Sequence, residues 1–259
     1  MKRSYLIAMM AVTVMSMAAS SHAVPTFYLL NTEATNDAFR GRIDVIDLGA
    51  DTRDFVTDVD PSPFGVIEDW RGFATDGSFF YYLNTDGGGA WPGRIDRTAM
   101  DGSGRTPVAD IDPSEFDDIE DWNGFATDGN FFYLLNTGGT GAVHGQIDRV
   151  NLDGSGRTKI ADLDPTYYGA IEQWLGFATD GQFFYLLNTE AGNDDFRGRI
   201  DRINMDGTGR TKIGDIDPDP FGVVEQWLGF AAPTVPEPAT ALLGMGGLMA
   251  LAMRRRRSA

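Results

Sequence analysis

The side chains that do most of the acid, base and nucleophilic work in proteins are scarce in this chain. It has 259 residues, no cysteine and two histidines. His22 lies in an N-terminal apolar segment, and His144 lies in a glycine-rich loop with no counterpart elsewhere in the sequence. A serine or cysteine triad needs an imidazole beside its nucleophile, and zinc sites draw on His and Cys, so both chemistries lose their residues. What remains is carboxylate: 38 Asp and Glu against 21 Lys and Arg. Two carboxylates flanking a glycosidic bond can cleave it when one is protonated and the other ionised. Carboxylates also ligate hard cations such as calcium through oxygen. A net charge of −17 disfavours nucleic acid as a partner, because phosphate binding needs a basic surface.

Those carboxylates recur with a period. Trp70, Trp122, Trp174 and Trp227 each precede a Gly-Phe-Ala block that starts at Gly72, Gly124, Gly176 and Gly229. A second block closes at Asn31-Thr32, Asn84-Thr85, Asn136-Thr137 and Asn188-Thr189. A third, Gly-Arg/Gln-Ile-Asp, begins at Gly41, Gly93, Gly145 and Gly198, and a fourth ends in Asp-x-Asp-Pro at Pro61, Pro113, Pro165 and Pro218. Four copies of a unit of about 52 residues indicate a repeat architecture. Glu68, Glu120, Glu172 and Glu225 each stand two residues before the Trp. If the following strand is innermost, these four acids face one mouth of a channel, where they form a candidate calcium site or, alternatively, a solvated rim. The Asp-x-Asp pairs lack the spacing and distal Glu of a calcium hand loop and read as strand ends and turns. An acid that recurs four times in like surroundings suits catalysis poorly, because acid/base pairs need two different environments.

Each unit supplies four strands. Asp76-Gly77, Asp128-Gly129 and Asp180-Gly181 mark hairpin turns. The Phe-Phe-Tyr-Leu-Leu type runs are apolar on both faces, as expected of strands covered on both sides. Four-stranded units buried on both faces fit propeller blades. The body begins at the second block and ends at the first, so the two ends complement each other. The expected fold is all-β: a four-bladed β-propeller whose last blade is closed by N- and C-terminal strands, with two chains forming an eight-bladed ring as the alternative. The segment 198–210, and Asn151-Leu152-Asp153-Gly154-Ser155 most closely, resembles the later strands of low-density-lipoprotein-receptor class B propeller repeats. It departs from them where Tyr185-Leu186-Leu187-Asn188-Thr189 replaces their Tyr-Trp-Thr-Asp, and no function is carried across.

Tryptophan offers a binding chemistry as well. The four repeated residues form either an aromatic platform for sugar rings or, as large apolar groups, wedges between blades. Trp91 alone lies outside the repeat register, in one of the loops that vary most between units (33–40, 86–92, 138–144 and 190–197), where recognition usually sits.

Both ends read as processing signals. Residues 1–23 carry Lys2-Arg3, an apolar run and Ser21-His22-Ala23, the form of a secretory signal peptide. The body then spans 24–234. Residues 235–259 hold Pro236-Glu237-Pro238, an apolar stretch over 239–253 and Arg254-Arg255-Arg256-Arg257. As a helix those fifteen apolar residues would be about 22 Å long, short of a hydrocarbon core of about 30 Å, so they would span the inner membrane marginally and transiently, with the arginines inside. The ordered combination resembles the PEP-CTERM sorting signal. That resemblance implies processing near Pro236-Glu237-Pro238 by an exosortase, a membrane cysteine transpeptidase of Gram-negative bacteria that make exopolysaccharide.

Without both signals the basic count loses Lys2, Arg3 and the four arginines and the acidic count loses Glu237, leaving 15 against 37, a net of −22. With no cysteine there is no disulfide framework or lipid-anchor site, so the fold rests on its core. These readings point to an exported, non-catalytic binding or structural protein of the cell surface or exopolysaccharide matrix, with polymer or a surface protein as partner. The alternatives are a secreted carbohydrate-active enzyme and a calcium-dependent protein-binding module.

Overall fold

The computed structural model describes residues 26–33, 41–50, 52–60, 68–86, 93–111, 120–138, 145–163, 166–167, 170–190, 198–216 and 225–233. The signal segment 1–23, the sorting segment 235–259 with any helices they form, and Trp91 lie outside these residues. In chain order the strands are β1 (Thr26–Glu33), β2 (Gly41–Asp47), β3 (Thr52–Val59), β4 (Glu68–Thr75), β5 (Phe79–Asp86), β6 (Gly93–Ala99), β7 (Thr106–Ile111), β8 (Glu120–Thr127) and β9 (Phe131–Gly138). They continue with β10 (Gly145–Asn151), β11 (Thr158–Leu163), β12 (Thr166–Tyr167), β13 (Ala170–Thr179), β14 (Phe183–Glu190), β15 (Gly198–Asn204), β16 (Thr211–Ile216) and β17 (Glu225–Ala231).

These form four antiparallel sheets, ordered β17-β1-β2-β3, β4-β5-β6-β7, β8-β9-β10-β11 and β12-β13-β14-β15-β16. They are blades 1 to 4. The C-terminal strand pairs with the N-terminal one from Tyr28↔Ala231 to Glu33↔Glu225, so blade 1 is closed by both ends of the body. The ring is complete within one chain, and the expected four-bladed propeller is the fold.

The strands β4, β8, β13 and β17 pack on one another around the axis. Their glycines allow it. A Cβ built on Gly72 would lie 2.4 Å from the Cβ of Phe125, on Gly124 2.4 Å from that of Phe177, on Gly176 2.5 Å from that of Phe230, and on Gly229 2.5 Å from that of Phe73. The contacts run from each blade to the next and return to the start. At each of these positions any side chain larger than hydrogen would collide with a neighbouring strand.

A bulge makes the inner strand fit both neighbours. The pairing of β4 with β5 shifts register between Trp70 and Gly72, and the β8 and β13 pairings shift at the equivalent places. Residues three apart on a regular strand point to opposite faces. With the extra residue, Trp70 and Phe73 both join the cluster shared with blade 1, alongside Leu30, Ile43 and Ala231. Three further clusters fill the other gaps between blades. The inner strand thus begins two residues before its Trp in β4, β8 and β17 and four before it in β13, earlier than the Gly-Phe-Ala-Thr segment read from sequence. The two-residue strand β12, paired with the start of β13 through Thr166↔Ile171, has no sequence forecast.

Replacing Gly124 by Ala places a methyl group against the Cβ and backbone of Phe177, which cannot swing aside. Overpacking of this kind costs about 1–3 kcal/mol, and denaturant unfolding of Gly124→Ala is expected to show that loss.

Candidate functional site

Both faces of the ring follow from strand direction. In each inner strand the Glu stands four residues before the axial glycine, opening β4, β8 and β17 and lying two residues into β13, and β4, β8 and β13 end at the hairpin turns. Four strand steps correspond to about 13 Å. The structure therefore brings the backbones of Glu68, Glu120, Glu172 and Glu225 to one mouth, where they pair with Asp86, Gly138, Glu190 and Glu33. Their side chains, like that of Trp227, fall outside the described residues. Among the described residues no group of three or more His, Cys, Asp or Glu is arranged to hold a metal ion.

The opposite, turn face is built from hydrogen bonds that each repeat copies. Asp76 Oδ1 accepts from the backbone N–H of Ser78 and Phe79, and Asp128 and Asp180 do the same for their own turns. Gly77, Gly129 and Gly181 take φ of 83°, 82° and 85° to allow the chain reversal. The second oxygen of each Asp accepts the hydroxyl of Tyr81, Tyr133 or Tyr185 at 2.6–2.9 Å. Burial, and then that carboxylate, pushes the Tyr81 phenol up to about 12 and moves Tyr133 and Tyr185 in the same direction. In the outer turns Asp101, Asp153 and Asp206 accept from Ser103, Ser155 and Thr208 through hydroxyl and backbone N–H, which holds these exposed carboxyls below their usual range.

Trp70, Trp122 and Trp174 lie between blades. Their exposures are 8%, 4% and 6%, and a Cβ on Gly41, Gly93 or Gly145 of the preceding blade would be 2.3–2.5 Å from the ring. Their indole faces are spent on packing; of the other two candidate aromatic contacts, Trp91 and the side chain of Trp227 lie outside the described residues.

Inside each blade is a cluster that reading the sequence did not single out. Asp44, Asp96, Asp148 and Asp201 are fully buried. Asn31, Asn84, Asn136 and Asn188 donate to them at 2.8–3.2 Å from the neighbouring strand. Arg42, Arg94 and Arg199, two residues earlier, pair with the same carboxylates. Arg53, Arg105, Arg157 and Arg210 reach them from the adjoining strand or turn at 2.6–3.0 Å. Arg105 also donates to the backbone carbonyl of Asp60 in blade 1 and stacks on Tyr82, so the cluster binds neighbouring blades as well. In blade 3 the neutral Gln146 takes the place of the first arginine and donates to Asp148 at 2.7 Å. The signal for this cluster was present in the Asn of the second block, the Asp of the third and the arginine after each outer turn, preceded by Gly in three units and by Thr52 in the first.

What the fold and site define is a closed four-bladed propeller whose buried aspartates form internal ion pairs and whose repeated turn aspartates cap the turns. Beyond the closing strand, residues 234–257 match the PEP-CTERM protein-sorting motif. The chain carries that motif, which implies an exported, exosortase-processed protein of the cell surface or exterior. No curated protein matches the chain in sequence. Among solved structures it is similar to an oligogalacturonate lyase in complex with manganese, at 12% identity and a TM-score of 0.30 over 71% of this chain and 52% of that one. It thus spans about half the length of that lyase. It is also similar to two proteins described as a "putative 6-phosphogluconolactonase". The one from Bacteroides fragilis shares 12% identity with a TM-score of 0.32, covering 76% of this chain and 83% of that one. The one from Bacteroides uniformis shares 9% with a TM-score of 0.33, covering 78% and 70%.

Two outcomes follow from these interactions. Arg157→Ala leaves buried Asp148 facing only neutral amides, whereas Arg105→Ala leaves Arg94 beside Asp96. Removing one partner of a buried pair costs about 3–5 kcal/mol, so chemical denaturation should show a larger loss for Arg157→Ala than for Arg105→Ala. The tyrosines act at high pH. Their raised pKa means that the unfolded phenol releases its proton first, near 10, so the stabilisation is complete below pH 10 and is lost as pH rises toward 12. In Tyr133→Phe the alkaline part of a stability-against-pH curve should flatten.

Proposed function

We propose that the mature protein is a non-catalytic binding or structural component of the cell surface or extracellular polysaccharide matrix. The observation that carries this reading is the sorting motif at 234–257, which follows directly on the strand that completes the ring. All backbone pairs between β1 and β17 involve residues up to Ala231. Cleavage near Pro236-Glu237-Pro238 therefore leaves the propeller closed, and a folded body is released intact from its sorting segment.

The distribution of acids supports the non-catalytic part. A hydrolytic pair needs two carboxyls held in unlike surroundings, whereas Asp44, Asp96 and Asp201 share one environment, from which Asp148 differs by Gln146 in place of an arginine, and Asp76, Asp128 and Asp180 share another. Recognition then falls to the mouth face, where the loops of differing sequence leave the blades. Its acids favour a neutral polymer, with or without calcium, over an anionic one.

Co-sedimentation of residues 24–234 with the exopolysaccharide of the producing cell, in calcium and in chelator, tests this. Retention in the polymer pellet is expected. Loss of retention in chelator would assign a metal to the mouth acids, and absence of retention in both conditions would overturn the polymer reading in favour of a protein partner or catalysis.

A further inference from the structure

We propose that, while its C-terminal segment is in the membrane, the propeller stands with its turn face toward the bilayer and its mouth face away from it. This rests on the sorting segment acting as a membrane tether, and it assigns the two faces of the ring to different surroundings. The starting point is where the chain leaves the fold. In blade 1, Glu225 pairs with Glu33 at the mouth and Ala231 pairs with Tyr28 at the other end. Thr26 lies opposite Asp47, beside the β2–β3 turn, so both ends of the body emerge at the turn face. Phe230, Ala231 and Ala232 are buried, with exposures of 0%, 1% and 2%, so the chain is held by the propeller to within two residues of the motif.

The length of free chain then decides the orientation. From Pro233 to the apolar stretch at 239 there are six residue steps, which reach at most about 20 Å. The depth of the ring along β17, from Glu225 to Ala231, is also six steps, about 20 Å. Bringing the mouth to the bilayer would require the connecting chain to run the whole depth of the molecule and around its rim besides, which exceeds its reach. The turn face needs no such path. Electrostatic adhesion does not hold it there, since Asp101, Asp153 and Asp206 are exposed on that face and stay ionised. The tether alone sets the arrangement, and the variable loops project outward, where polymer or a partner cell surface would be met.

The absence of cysteine makes a direct test simple. The exported chain, residues 24–259, would carry one fluorophore on a single introduced cysteine, in vesicles of neutral phospholipid containing headgroup-nitroxide lipid. Asn130→Cys and Gln182→Cys mark the turn face, and Glu120→Cys, whose backbone pairs with Gly138 at the start of the inner strand β8, marks the mouth. Quenching at least twofold stronger at the two turn positions than at Glu120→Cys is expected. Insertion of a flexible twenty-residue spacer after Pro233 should remove the difference. Equal quenching without the spacer, stronger quenching at Glu120→Cys, or failure of the chain to stay with the vesicles would overturn the proposal. No polysaccharide is present in this experiment, so a negative result with the polymer and a negative result here are separate findings.

Discussion

Four bare backbones facing four phenylalanines at the axis set the geometry of everything outside them. With four blades the inner strands stand close, and the approach of Gly72 to Phe125, repeated at Gly124, Gly176 and Gly229, is closer than any side chain permits. Burial of an aromatic ring favours folding by about 1.5–3 kcal/mol; here each ring packs on rings of its own blade, as Phe73 does on Phe80 and Tyr82, inside a cluster that the adjoining blade completes with Leu30, Ile43 and Val59. Part of the apolar gain therefore exists only when blades are adjacent. The ring gains its last contact, Gly229 with Phe73, only when β17 is in place.

The polar clusters follow from the same crowding. A blade buried on both faces has no solvent for the side chains of its central strands, yet Asp44 and its equivalents sit there fully enclosed. Replacing such pairs with apolar groups is often neutral or favourable to stability. What the cluster adds is register. The Asn–Asp bond joins the second strand to the third, and the distal arginine joins the third to the fourth, so a slip by one residue would turn the carboxylate away from both. In a chain whose repeats have nearly identical strands, mispairing between blades is the hazard, and a buried charge that is satisfied in one register only works against it.

Much of this was legible in the sequence, for a reason that can be named. A repeat turns one ambiguous strand pattern into four aligned copies, and the phase of the two ends showed where the ring would close. What stayed hidden depended on face parity. Trp70 and Phe73 share a face only because of the bulge between Trp70 and Gly72, and no residue type there announces an extra residue: the bulged position is Arg71, Asn123 or Leu175 by turns. The Asp clusters were hidden likewise. Their members are two, nine, twelve or thirteen residues apart, and the spacing becomes a contact only once strand pairing is known. In the sequence Gly41, Gly93 and Gly145 only mark where the third block begins, whereas in the fold each receives an indole from the next blade.

The placement of the processing site relative to the closing strand joins fold to function more firmly than any single side chain does. Pairing of β17 ends at Ala231, and the motif starts at residue 234. Had the closure been made by a strand containing the motif, release would have cost the blade its inner strand and exposed the edge of β1, a template for pairing with other chains. Had the motif lain far beyond it, the body would have kept a long free tail. The chain has neither arrangement: it completes the ring with residues that precede the motif, and it leaves on the face opposite its variable loops. With no disulfide in the chain, cohesion rests on a ring with no free inner edge, and every residue that closes that ring precedes the sorting motif.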